Sequence, residues 1–297
     1  MRQIKVPPIK IQGIKTKLVP WILSQIDGKE YSRWIEPFMG SGVVGFNLLP
    51  KQAIFCDLNP HLINFYNAVK TGEINPDRVR KFLTDESAKL SSQGEIYYYK
   101  IRERFNTDGH PLHFLFLNRS CFNGMIRFNK KLFYNVPFGH KPERFSKSYI
   151  TKIVNQIEFV EKSIKLNEWV FKTRDFRVTL EQANSRDFIY CDPPYIGRHV
   201  DYYDSWNISD EIDLHNLLIK SGAKFIVSTW HSNKYRVNET LRKVWSDCNF
   251  ITREHFYHIG AREKNRNSIT EALIMNFPGK TSDYIPENKE IFEYELF

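Results

Sequence analysis

The chain has 297 residues, and its 43 Lys and Arg exceed its 34 Asp and Glu to leave a formal charge of +9. That length carries one large domain, or one domain with an insertion, around a sizeable core. The cationic excess points to an anionic partner, either nucleic acid or an anionic membrane surface. No apolar run reaches the roughly 18 residues needed to cross a bilayer, and Met1 to Gln12 lacks the apolar centre of a signal peptide. A cytoplasmic protein of prokaryotic or phage type is expected, monomeric or weakly dimeric. Cys56, Cys121, Cys191 and Cys248 are widely scattered, so no metal-ligand spacing exists, no metal is expected, and the thiols read as reduced and buried, three of them in strand-like runs.

Residues 15–26 (KTKLVPWILSQI) space their apolar side chains as a helix does, despite Pro20. Trp34 and Ile35 begin a strand that breaks at EPFMGSG, residues 36–42, and 43–49 then reads as a helix. Residues 53–56 form a second strand ending at Asp57. This β–Gly loop–α–β–acid unit opens a Rossmann-like sheet. From 61 to 166 the pattern is mostly helical, interrupted at 117–139 by a stretch rich in Asn, Arg and Phe. Strand patterns resume at 169–171, 188–191, 225–228 and 271–277. The expected fold is therefore α/β: a Rossmann-like sheet domain flanked by helices (1–59 and 167–297), split by a mainly helical insertion (60–166). Such an insertion is too long for a loop and reads as its own lobe.

The narrowest chemistry lies at 188–195, FIYCDPPY. An unbroken apolar run suits a buried parallel strand, which puts Asp192 at its carboxyl end, where open α/β sheets bind ligands. Pro193 and Pro194 stiffen the backbone past it, and Tyr195 adds a flat face. Together a carboxylate, a rigid carbonyl and an aromatic plane suit an amino-bearing ring such as adenine. The glycine loop, Gly40-Ser41-Gly42 with Gly45 completing G-x-G-x-x-G, and Asp57 beyond it, allow NAD, another nucleotide or S-adenosylmethionine. Pro37 and Phe38 stand where a phosphate nest would be, which favours S-adenosylmethionine, a ligand without phosphate. Asp57 would then hold the ribose, Phe38 would line the adenosine pocket, and Lys15 or Asp175 with Phe176 would meet the methionine end.

The stretch FLNRSCFNGMIRFNKKLFYNVPFG, residues 116–139, interleaves Arg119, Arg127, Lys130 and Lys131 with Asn118, Asn123, Asn129 and phenylalanines. Cations, amides and aromatics in this mixture suit a β-hairpin entering a DNA groove, with Arg reading guanine, Asn reading adenine and Lys holding phosphate. A second basic loop, GAREKNRN with Lys264 and Arg266, reads as a phosphate-contacting arm. His199, Tyr202, Tyr203 and Trp206 read as a lid over the site.

A basic N-terminal Gly-Lys segment, E-P-F-x-G-x-G, a helical insertion and D-P-P-Y, in this order, resemble the Dam-type (D12 class, alpha group) DNA adenine-N6 methyltransferases. The blocks IQGIKTKLVP, EPFMGSGVVGFN, FLNRSCFNGMIRFN, NVPFG and YCDPPYIGRHVDYYDSW are similar to the branch that modifies GATATC. The resemblance implies S-adenosylmethionine as cofactor, double-stranded DNA as partner, and N6-methyladenine as product at a short GATATC-like palindrome within a restriction-modification system. It implies that Asp192, Pro193, Pro194 and Tyr195 form the reactive centre, that Lys15 and Asp57 serve the cofactor, and that Ile11, in place of the family's tryptophan, contacts it through backbone. It also implies Phe122 and Asn123 as an intercalating pair, Met125, Arg127 and Pro137 as base readers, and Lys10 on an outer base pair. Alternatives on this scaffold are an N4-cytosine or RNA amino-methyltransferase, or a DNA-binding module without catalysis. A cytosine-C5 enzyme needs a nucleophilic Cys after proline, and none of the four cysteines follows one.

Overall fold

The computed structural model describes residues 3–196, 206–256 and 268–280. Five strands run parallel in the order β3-β2-β1-β4-β5: β1 (Arg33–Glu36), β2 (Gln52–Asp57), β3 (Glu168–Thr173), β4 (Asp187–Cys191) and β5 (Lys224–Asn233). The sheet is completed by β7 (Ser268–Met275), antiparallel between β5 and the edge strand β6 (Asn249–Phe256). The fold is the expected Rossmann-like α/β sheet. β6 was not anticipated: its sequence, NFITREHF, carries charges that suit a solvent-facing edge and mask a strand signal.

All of β4 is buried, which explains its unbroken apolar run. Alternation sends successive side chains to opposite faces. Trp34 stacks between Phe188 and Tyr190 on one face, with centroids 5.5 and 6.1 Å away. Ile35, Ile189 and Cys191 pack on the other with Leu214, Phe225 and Trp245. The Trp34 face belongs to a hydrophobic cluster that continues through helices α3 (Pro60–Thr71), α4 (Pro76–Gln93), α5 (Glu95–Asp108), α6 (Pro111–Ser120) and α7 (Lys147–Lys165). The 60–166 stretch thus shares one core with the sheet. α3 is tied directly to β3, through Asn67 to the Phe171 carbonyl (3.3 Å) and Lys70 to the Trp169 carbonyl (2.6 Å).

The first helix, α1 (Val19–Ile26), starts four residues later than its periodicity predicts. Proline suits a first turn, where its missing N–H loses nothing, so Pro20 marks the start and not an interruption. Residues 15–18 form a turn in which the Lys15 carbonyl accepts from Leu18 and Val19 (2.8 and 3.0 Å). α2 (Val43–Leu48) follows the glycine loop, and Asn59 caps α3 by accepting from His61 and Leu62 (3.0 and 3.3 Å). On the second face lie α8 (Phe176–Leu180), α9 (Ile208–Ser221) and the short α10 (Thr240–Lys243).

The expected hairpin is antiparallel but irregular. Bridges Cys121↔Phe138 and Phe128↔Tyr134 pair its arms, with a 3₁₀ turn at Phe122–Gly124. Cys121 therefore ends a helix and is not in a strand, and Cys248 is only half-buried, whereas Cys56 and Cys191 are buried on strands as expected. No helix among the described residues is long and apolar enough to cross a membrane.

Candidate active site

Strand order reverses between β1 and β4, and such a switch point opens a crevice at the strands' carboxyl ends. The loop after β1 and the D-P-P-Y after β4 are about 150 residues apart in sequence but lie side by side there, because Ile35 pairs with Ile189. The Lys15 ammonium reaches across to Asp192, with Nζ 2.8 Å from Oδ1, and lies 5.0 Å from the centre of the Tyr195 ring. Lys15 is buried and Asp192 is partly open. Burial pushes the Asp192 carboxyl above its usual range, and the Lys15 ion pair opposes that shift. Pro193 is buried and Pro194 half-buried, while the Tyr195 hydroxyl donates to Glu271 on β7 (3.2 Å).

Around the glycine loop, Gly40 and Gly42 take φ of +49° and +68°, which side-chain-bearing residues resist. The Gly40 N–H donates to Asp57 Oδ2 and the Asn59 N–H to Oδ1, both at 2.9 Å. Burial raises the Asp57 pKa, and these backbone donors counter it. A Cβ on Gly40 would meet only the Ile11 side chain, 3.8 Å away. Phe38, Phe176 and Trp206 close an aromatic wall, their centroids 5.3–5.5 Å apart. Asp175 lies beside Asp57, since the Arg174 N–H donates to the Asp57 carbonyl (3.1 Å). Its own carboxylate, however, caps α8 through Arg177 N–H (2.8 Å) and faces the Arg177 guanidinium (3.6 Å). These local contacts fix the carboxylate at the start of α8, beside the Asp57 end of the crevice. The open backbone at Gly40, the aromatic wall, Asp57 and the Lys15–Asp192 pair together fit an adenosine with a charged amino-acid tail.

Glu36 had no role in the sequence reading. It is buried, accepts from Trp34 Nε1 (2.8 Å), and burial raises its carboxyl to about 8 despite that bond, which favours the protonated form at pH 7. Glu271 was likewise missed. Its signal was a lone acid directly before the apolar run 272–275, since buried acids are rare unless partnered.

The hairpin stands beside this crevice. Buried Asn118 exchanges hydrogen bonds with the Lys10 backbone (2.8 and 2.9 Å) and donates to the Gly124 carbonyl (3.4 Å), pinning the N-terminal strap to the hairpin base. Phe122 and Asn123 are exposed at the turn, with Asn123 at φ +53°. Arg127 is oriented by Asn135, through Nε to Oδ1 (2.8 Å) and Nη2 to the carbonyl (3.2 Å). Met125 is half-buried, and Pro137 is exposed while its carbonyl accepts from Phe122 (2.9 Å). Asn129 is exposed, and its Oδ1 closes the hairpin tip by accepting from Lys131 and Phe133 (2.9 and 3.1 Å).

Arg119 overturns its expectation. It is 4% exposed and directed inward, donating to Gln156 (2.5 Å) and Tyr149 (3.3 Å). Arg144 also donates to the Tyr149 hydroxyl (2.9 Å). Burial raises the Tyr149 pKa, but Arg119, Lys10 and Arg144 outweigh it and bring the phenol down to about 8. Lys264, Arg266, His199, Tyr202 and Tyr203 lie outside the described residues.

The model of the D12 class N6 adenine-specific DNA methyltransferases matches residues 12–259, which hold both halves of this crevice and the hairpin. The chain belongs to that class. The type II methyltransferase M.MjaIII of Methanocaldococcus jannaschii is 30% identical, over 91% of this chain and 99% of its own length. M1.LlaDCHI of Lactococcus lactis is 27% identical over 91% and 95%. The DNA adenine methylase of Haemophilus influenzae is 36% identical over 64% and 63%. The protein is an adenine-specific DNA methyltransferase, its methyl donor is S-adenosylmethionine, and its substrate is DNA.

Proposed function

We propose that the enzyme methylates an adenine extruded from double-stranded DNA, within a short GATATC-like palindrome, as the protective half of a restriction-modification pair. Base extrusion is supported by the place of Asp192 at the end of a buried strand, since chemistry on the amino group of a base needs that base out of the stack. The recognition function falls within 60–166, and the catalytic function on the segments either side.

When bound, S-adenosylmethionine supplies a methyl group activated by the sulfonium charge. Ile11, Phe38, Gly40, Asp57 and Phe176 would hold it, with Lys15 at its charged end. The chain's own residues prepare the acceptor. The N6 lone pair of adenine is delocalised into the ring, so it is a poor nucleophile until its hydrogens are drawn out of plane. Asp192 and the Pro193 carbonyl accept those two hydrogens. The Lys15 ion pair favours the ionised, acceptor-only form of Asp192 and opposes the burial that favours its protonation. Tyr195, its hydroxyl tied to Glu271, stacks on the ring, and Pro194 stiffens the turn between them. Orientation and fixed dipoles perform the catalysis, with no covalent enzyme intermediate. On the DNA side, Phe122 and Asn123 fill the space left by the base, Arg127, Met125 and Pro137 read neighbouring edges, and Lys10 contacts an outer pair.

The Lys15–Asp192 pair beside the Tyr195 ring carries this reading. Asp192→Ala is expected to cut methyl transfer by roughly 10³-fold or more while DNA and cofactor still bind. Transfer of labelled methyl groups at near wild-type rate would remove Asp192 from the mechanism. Direct detection of N6-methyladenine in DNA from expressing cells tests the target sequence.

A further inference from the structure

The end of β5 holds a second surface feature that the site does not use. Its backbone turns back in a tight hairpin: Ser232 bridges Val237, and the Asn233 N–H donates to the Arg236 carbonyl (2.9 Å). The Asn233 side chain accepts from the Tyr235 and Arg236 N–H groups (2.9 and 3.0 Å), fixing the turn. Buried Asn238 locks the base, donating to the Trp230 carbonyl (2.9 Å) while its N–H meets the His231 carbonyl (2.8 Å). The turn therefore presents Lys234, Tyr235 and Arg236 in one conformation, all three exposed. Tyr235 is 74% exposed, and its ring lies 5.7 Å from the Lys234 ammonium. An aromatic so placed contributes little to the core. Two cations beside a solvent-exposed aromatic ring match the chemistry that grips a sugar-phosphate backbone and stacks on a base or sugar.

Its position fits the same partner. Continuing the Cys191↔Val227 pairing by one residue puts Ser228 level with Asp192. The turn at Asn233 begins five residues further along β5, roughly 17 Å beyond the reactive carboxylate at about 3.3 Å per residue. The recognition hairpin rises on the other side. Phe128 stacks on His61, 4.9 Å away, at the start of the helix that follows β2. With strands ordered β2-β1-β4-β5, the two arms flank the β4 end, where Asp192 lies.

Resting on the assignment as a DNA methyltransferase, we infer that the 233–236 turn is a second DNA-contacting arm that holds the duplex backbone without reading sequence. Lys234 and Arg236 take phosphates of the flank opposite the recognition hairpin, and Tyr235 packs against the sugar or an exposed base. The combined variant Lys234→Ala, Tyr235→Ala and Arg236→Ala tests this in the full-length protein. Duplex affinity should fall about tenfold, equally with and without the target site, and the log–log salt slope should shrink by about two. Cofactor affinity, melting temperature and turnover at saturating DNA should stay unchanged. Wild-type affinity and slope in the variant would overturn the inference, as would a loss confined to the target duplex, which would mean base reading. A wild-type protein that failed to methylate adenine would instead overturn the functional assignment, so the two failures are distinguishable.

Discussion

Glu36 offers the sharpest physical test, because a neutral carboxyl is held beneath the cofactor loop. Its side chain is 1% exposed, and its pKa is raised from 4.5 to about 8, by burial first and by the nearby Asp192 charge last. Because the folded-state value lies above the unfolded one, the stability this carboxyl contributes is fully present below pH 4.5 and is lost as pH rises through about 8. Glu36→Gln keeps the shape and an acceptor for Trp34 Nε1 but cannot ionise. One unit of displacement is worth about 1.4 kcal/mol. Between about pH 5.5 and about pH 8.5 the wild type should therefore lose roughly 3 kcal/mol that the variant keeps. At about 2.1 cal/mol/K of unfolding entropy per residue, that is roughly 5 °C in Tm for this chain. Thermal unfolding of both proteins at the two pH values measures it, and the gap should move in the variant's favour on going alkaline. Parallel Tm curves would show that Glu36 is already ionised at neutral pH and would refute the neutral-carboxyl account.

Three further outcomes are expected. Arg127→Ala should cost about 1–3 kcal/mol of discrimination at one base pair and relax specificity there, measured as kcat/KM on singly substituted duplexes. In Gly124→Ala, the new Cβ would fall 2.6 Å from Lys10 Cδ at a residue with φ +64°, so Tm should drop by the equivalent of about 2 kcal/mol and DNA affinity should fall with the displaced Lys10. One tyrosine should ionise near pH 8, visible as phenolate absorbance, and Tyr149→Phe should abolish that step.

The strands that carry chemistry were legible because burial on both faces leaves them uniformly apolar. The ends of those strands located Asp57 and Asp192 without any knowledge of the chain between them. β6 was not legible, because an edge strand needs polar residues to stay unpaired, and those residues erase its signature. The start of α1 was misjudged because hydrophobic spacing ignores the missing N–H of Pro20, which places the helix boundary.

The hairpin shows a different limit. Composition counts cations and amides but carries no direction, so Arg119 and Arg127 looked equivalent. The structure separates them by register. Arg119 lies in the last turn of α6, facing α7, where Gln156 and Tyr149 accept from it, whereas Arg127 lies on an irregular arm and meets Asn135 across the hairpin. Asn118 and Asn129 divide in the same way, one locking the base and the other closing the tip. Two inward residues, Asn118 and Arg119, and the tip-closing Asn129 thus stiffen the frame that presents Phe122, Asn123 and Arg127. A reading element needs that stiffness, because an arm already ordered loses less entropy when it meets DNA. Asn118 at the base and Asn129 at the tip hold that arm in place.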